Sequence, residues 1–256
     1  MNTLSMDASA PNLLRCYWLE AKCEFLRMVR TPSYAIPVLA FPLLFYMMFG
    51  ILMQHGHDAA ASRYLLASYG VFGAMGASLF GFGVSVAMDR EHGWLTLKRA
   101  QPMPPGAYLL AKLLMAMVFI ALIALLLVAL AVGVAHVTLT VAQAMQLVAI
   151  DVLGALPYAA IGLYIGTRMG ARGAPAFINM VYLPMAFLSG LWMPLQFLPT
   201  AVRRLAPVWP SWHHAQLALG VAGSTTEGAP WMHVAYMVGV AAVFFMLAAR
   251  RLRRVG

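Results

Sequence analysis

A chain of 256 residues that is 62% hydrophobic and only 10% charged is too apolar for a water-soluble globule, in which charged residues usually approach a quarter of the total. The formal net charge of +9 could suit a nucleic-acid partner. The basic residues lie between long uncharged runs, however, so the charge reads as membrane topology and attraction to anionic lipids, with no nucleic acid implied.

In chain order, residues 1–11 read as a mobile tail and residues 12–256 as a single transmembrane domain. Leu14, Trp18, Ala21, Phe25 and Met28 recur at helical spacing, with Arg15, Lys22, Arg27 and Arg30 as polar counterparts. This pattern predicts an amphipathic helix lying in the membrane interface, capped by Asn12 and ended at Pro32. Cys16 and Cys23 lack a nearby His pair, so they form no zinc site and are expected to stay reduced.

Six apolar runs follow, at roughly 34–53, 64–88, 113–135, 145–167, 175–193 and 229–249. About 20 apolar residues cross a hydrocarbon core of roughly 30 Å. Backbone groups in lipid must bond within the segment, so these spans are helical. No run alternates at period two as a barrel strand would. The first run is too long for a cleaved signal peptide and contains Pro37 and Pro42.

His55, Gly56, His57 and Asp58 follow the first span but lack a fourth ligand, and no metal is assigned there. Gly73, Ala77 and Gly81 in the second span would let a helix approach closely, either within one subunit or across a dimer seam.

Residues 89–105, DREHGWLTLKRAQPMPP, interrupt two uncharged runs. They are too polar for the bilayer and too long for a tight turn. Asp89, Arg90, Glu91, Gly93, Leu95 and Pro102 resemble the acidic-Arg-Glu-x-Gly-x-Leu pattern, with Pro nine residues after the Gly, between spans two and three of ABC-2-type transporter permeases. Trp94 stands where that family more often has Thr. The resemblance implies that Glu91 to Arg99 forms a short helix docking into a cytoplasmic ATPase. Arg90 and Glu91 would supply charged hydrogen bonds, and Trp94 and Leu95 an apolar anchor. The competing reading is a solvated loop whose charges only hold topology.

Asp151 is the single carboxylate within the six runs, about 9 Å from the outer end of the fourth at 1.5 Å per residue. Its depth allows snorkelling or hydration from an outer vestibule. It is a candidate for the transport pathway, with Tyr69 and Tyr158, or else a packed polar residue. Residues 194–228 are apolar but broken by Pro194, Pro199, Pro207 and Pro210, so their fragments read as re-entrant helices between spans five and six. His213 and His214 are expected at the polar rim of these helices. The run FLSGLWMPLQFLP at 187–199 is similar to the family's fifth-span exit, and an interfacial helix before the first span also matches the family.

With both termini in the cytoplasm, 14 of the 17 Lys and Arg fall inside and only Arg63, Arg203 and Arg204 outside. Trp18 and Trp94 then lie at the inner boundary, and Trp192, Trp209, Trp212 and Trp231 at the outer one. No P-loop, Gly-x-Ser-x-Gly elbow or His-Glu-x-x-His pair occurs, so the chain is not itself an enzyme.

The sequence therefore predicts an all-α membrane protein with six transmembrane helices, an N-terminal interfacial amphipathic helix and re-entrant outer helices. The resemblance implies the permease subunit of a bacterial ATP-driven exporter in the cytoplasmic (inner) membrane. It binds no cofactor itself, ATP and Mg being held by separate ABC ATPase subunits. A permease homodimer and membrane lipids are the other expected partners. Its aromatic residues suit a hydrophobic or amphiphilic substrate such as a drug, lipid or glycan. The alternative is a secondary transporter that uses Asp151 and an ion gradient.

Overall fold

A computed structural model of the chain describes residues 13–53, 59–100 and 106–255. The expected N-terminal tail, the Asn12 cap, the His55, His57 and Asp58 cluster, and Pro102, Pro104 and Pro105 lie outside the described residues. All regular structure among the described residues is helical. Among the described residues, five helical segments are long and apolar enough to cross a membrane.

Helix α1, Leu13–Val29, runs to the turn at Thr31, whose hydroxyl donates to the Arg27 carbonyl at 2.8 Å. Leu14 and Trp18 are exposed, whereas Glu24 and Met28 are buried. The inward face thus carries charge because helices α4 and α5 offer it ionic partners.

Helix α2, Pro32–Phe45, begins with a proline whose missing N–H costs nothing at a helix start, and continues as a π-helix over Tyr46–Leu52. A Cβ at Gly50 would lie 2.8 Å from the Tyr46 ring, so the glycine makes room for that buried tyrosine.

Helix α3, Ala59–Glu91, is the central post of the bundle and packs against α2, α5, α7, α8 and α10. Its 33 residues span about 50 Å at 1.5 Å each, longer than the hydrocarbon core, so its ends project beyond it. The face carrying Gly73, Ala77 and Gly81 is filled within the chain. A Cβ at Gly73 would meet Ile123 at 2.7 Å, and one at Gly81 would meet the Tyr34 hydroxyl at 2.9 Å. That hydroxyl donates to the Ala77 carbonyl at 3.0 Å. The small residues are an internal packing seam.

Helix α4, Trp94–Ala100, follows a turn in which Gly93 adopts φ +73. Such a left-handed conformation is cheap only for glycine. Helix α5, Ala107–Gly133, then returns along α1 and α3.

A capping box of Thr140 and Gln143 starts α6, Val141–Leu153. Helix α7, Ala155–Arg168, continues it after a break at Gly154. Pro157 cannot donate to the preceding turn, which favours the break there. Helices α3 and α7 touch backbone to backbone: a Cβ at Gly162 would lie 2.9 Å from the Leu79 carbonyl, and one at Gly166 2.7 Å from that of Gly83.

Helix α8, Ala174–Leu188, has 15 residues, about 22 Å, short of a full crossing on its own. Short pieces follow, among them α9, Thr200–Leu205, and α10, Pro210–Val221, neither long enough to cross. Helix α10 packs against α3, α6 and α11. The last helix, α11, Pro230–Val255, lies along α7 and α10. Exposed leucines, valines, methionines and phenylalanines on α2, α5, α8 and α11 form the apolar exterior expected of a multi-pass membrane protein.

Candidate functional site

Charge converges where α1, α3, α4 and α5 meet. Asp89, near the end of α3, is fully buried. Its Oδ1 accepts from Arg27 Nη1 at 2.8 Å, and its Oδ2 accepts from the Tyr108 hydroxyl at 2.6 Å. Lys112, also fully buried, directs Nζ at Asp89 Oδ2 (3.0 Å), Glu24 Oε2 (3.1 Å) and Ser85 Oγ (2.9 Å). Three contacts match the three N–H donors of an ammonium group. From α4, Lys98 reaches Glu24 Oε1 at 3.4 Å and also pairs with Glu20.

Glu20, Glu24 and Asp89 thus balance Arg27, Lys98 and Lys112. Burial opposes the Arg27 charge, but Glu24 and then Asp89 outweigh it and hold the guanidinium above its ordinary pKa. An ion network of this kind adds little net stability over an apolar core, yet removal of one member leaves a buried charge uncompensated. Its consequence is geometric: four helices are held in one register.

The motif residues fall into two groups. Asp89, Arg90 and Glu91 end α3 instead of starting the short helix, which begins at Trp94. The expected helix start at Glu91 is corrected by the Gly93 turn. Asp89 faces the interior. Arg90 donates to the carbonyls of Thr167 and of Met169, the latter at 2.7 Å, and so caps the end of α7. Glu91 is exposed but accepts from the Ala171 N–H at 2.6 Å. Their charged hydrogen bonds are therefore made within the chain.

Trp94 is 43% exposed, with the Arg27 guanidinium 5.5 Å from its ring, and Leu97 is 63% exposed. Leu95 packs inward against the buried cluster that includes Tyr108 and Leu163. The face of α4 left open is thus carried by Trp94 and Leu97. Sequence reasoning missed Glu24, Lys112 and Tyr108. The available signal was Glu20, Glu24 and Arg27 recurring on one helical face, opposite in sign to Lys98, Lys112 and Asp89.

A second polar cluster lies deeper. Asp151 is 3% exposed, so its carboxylate is enclosed by the helices and does not reach the surface of the chain. Its Oδ1 lies 3.6 Å from His214 Nε2 and has no hydrogen-bond partner among the described residues. A Cβ at Gly70 would come within 2.3 Å of Asp151 Oδ2. The His214 ring occupies the gap beside Gly154, where a Cβ would lie 2.2 Å away. Its Nδ1 meets the Tyr158 hydroxyl and its Nε2 the Ile150 carbonyl, both at 3.2 Å.

His214 is therefore no rim residue: it is fully buried and locks α10 over the α6–α7 break. The structure brings Asp151 and Tyr158 together through it. Tyr69 is placed elsewhere, in an aromatic cluster with Phe45 and Phe72.

Comparison with known proteins agrees with this architecture. A model of the ABC-2 type transporter family matches residues 16–222. The chain is also similar to "Putative transport permease YvfS" of Bacillus subtilis (strain 168), at 27% identity over 235 residues, covering 90% of this chain and 94% of that protein.

Proposed function

The chain belongs to the ABC-2 type transporter family, and from that membership we propose that it is the permease subunit of an ATP-driven exporter. The family implies an ABC ATPase as partner. In this reading two ATPase subunits hold ATP and Mg, and residues 12–256 act as one transmembrane domain. Two permease copies enclose the route between them, because few spans are available in one copy.

The observation that carries the reading is the ion network joining α4 to α1, α3 and α5. A push on α4 has little slack to absorb it, because Lys98 is tied to Glu20 and Glu24, and Glu24 in turn to Lys112. Trp94 and Leu97 supply the exposed apolar face that an ATPase groove would take. Moving a two-state equilibrium from 1:99 to 99:1 takes about 5.5 kcal/mol, which nucleotide-driven closure can provide.

Six crossings fit this function, with α8 and the residues up to Met193 forming the fifth and α9 and α10 re-entering from outside. Both termini then lie in the cytoplasm of a bacterial cell, and the protein sits in the inner membrane. Exposed Lys22 of α1 and Arg250 and Arg251 of α11 face anionic inner-leaflet lipids. The substrate class that suits the apolar bundle is a hydrophobic or amphiphilic compound. The ion-gradient alternative draws no support from Asp151, whose carboxylate is closed off by His214 and Gly70.

The test is reconstitution of the complex with its ATPase. Substrate movement should require ATP hydrolysis by the partner and survive collapse of ion gradients. Transport by the permease alone, driven by a gradient, would overturn the proposal.

A further inference from the structure

His213 and His233 face each other across the α10–α11 contact, at the end of the bundle opposite α4. Their Nδ1 atoms are 2.9 Å apart. Each ring uses its other nitrogen on a backbone carbonyl: His213 Nε2 lies 2.9 Å from Pro207 O, and His233 Nε2 lies 2.8 Å from Glu227 O. A carbonyl oxygen only accepts, so both Nε2 atoms must carry hydrogen.

Two neutral rings with both Nε2 atoms protonated would then present two Nδ1 lone pairs to one another at hydrogen-bond distance. That contact is repulsive. One further proton between the Nδ1 atoms turns it into a charge-assisted hydrogen bond. From this geometry we propose that His213 and His233 form a single proton-binding site that ties α10 to α11.

The surroundings suit one proton and not two. His233 is 4% exposed. Tyr236 from α11 stacks on His213 at 3.9 Å, and Trp212 packs edge-on against both rings. Glu227 contributes its backbone carbonyl. His214 points to the other side of α10, toward Asp151 and Tyr158. Among the described residues no carboxylate lies within ion-pair distance of either ring. Burial first holds His213 below its ordinary pKa, the Pro207 carbonyl offsetting and the neighbouring His233 adding to it. Burial thus opposes any charge on the pair, and the Nδ1–Nδ1 bond has to outweigh that cost for the single bridging proton.

The sign follows from linkage. The tie exists only with the bridging proton bound, so its stabilisation is full at low pH and is lost as pH rises through the pair's first proton release. The contact between α10 and α11 is therefore pH-sensitive at that end of the molecule.

The test uses the full chain in lipid nanodiscs with 15N-labelled histidine. From about pH 5 to about pH 8, the range in which imidazoles titrate, the two rings should change together in one coupled step while both Nε2 atoms stay protonated. Independent titration of the two rings, or an unprotonated Nε2 in either, would overturn the proposal.

A second arm reads backbone hydrogen exchange of α10, corrected for intrinsic rates. Protection should fall with rising pH in the wild type. In His233→Asn the side-chain amide can donate to neutral His213 Nδ1 with no extra proton, so protection should become independent of pH. Equal pH dependence in both proteins, or loss of protection on adding EDTA (which would indicate a metal in place of the proton), would count against it.

Discussion

Arg27 and Asp89, separated by 62 positions in sequence, meet at 2.8 Å between Nη1 and Oδ1 and join the amphipathic helix α1 to the end of the central helix α3. Asp89 belongs to the motif by which the chain resembles its family, yet it contributes nothing to the exposed surface. Its work is internal. The motif therefore has a structural half, Asp89 and Arg90, and an exposed half centred on Trp94.

Lys112→Met should destabilise the protein strongly. The substitution leaves Glu24 and Asp89 facing each other without the ammonium that lies about 3 Å from both. Breaking a buried pair this way typically costs about 3–5 kcal/mol. Thermal unfolding of the purified permease should show a clear loss of midpoint, and membrane abundance should fall. An unchanged midpoint would mean that the network is hydrated and contributes little.

Trp94→Ala should behave in the opposite way. The side chain is substantially exposed and its contact with Arg27 lies at the surface, so folding should be nearly unaffected. Losing an aromatic anchor at an interface costs about 2 kcal/mol, roughly a thirtyfold drop in partner affinity. Titration of the ATPase onto the reconstituted permease measures this. Normal affinity in both Trp94→Ala and Leu97→Ala would remove α4 as the docking element.

Gly70→Ala should disturb the deeper cluster, because the new Cβ would come within 2.3 Å of Asp151 Oδ2. Overpacking of this kind costs about 1–3 kcal/mol. Asp151→Ala in the same chain should restore much of the loss, since it removes the clashing oxygen. If the double variant is no more stable in a melting experiment than Gly70→Ala alone, the two residues are not in contact.

The segment between α8 and α11 should begin and end on one side of the membrane. In a background lacking Cys16 and Cys23, cysteines at Gln196 and Thr226 should both react with an impermeant thiol reagent in intact cells. Cysteines at Arg172 and Arg251 should resist it. Reaction of Gln196 and Thr226 from opposite faces would add a crossing and reverse the proposed orientation of one terminus.

The membrane-spanning helices were legible in sequence because the requirement that sets them is local. A helix in lipid needs a continuous apolar run, and a run such as 113–135 declares itself without reference to any other part of the chain. The shortness of α8 was not legible in that way: the run continues to Met193, but the chain turns at Gly190, with φ +80, and leaves the helix early. The amphipathic character of α1 was readable from spacing, whereas which of its faces turns inward was not. Spacing marks the apolar stripe of Leu14 and Trp18, which stays exposed, whereas the partners on α3, α4 and α5 draw Glu20, Glu24 and Arg27 inward.

What sequence alone determined here is what one segment can satisfy by itself: the apolar crossings, the breaks at prolines, and the charged interruption at 89–105. What only the tertiary structure decided is how groups distant in the chain satisfy one another. Asp89, placed in the charged interruption by its motif, is enclosed by Arg27, Tyr108 and Lys112. Asp151, which its depth alone would allow to reach an outer vestibule, is covered by His214 of α10 in the gap beside Gly154. A buried charge is tolerated only where packing delivers its counterpart, and which helices pack together is a property of the whole fold.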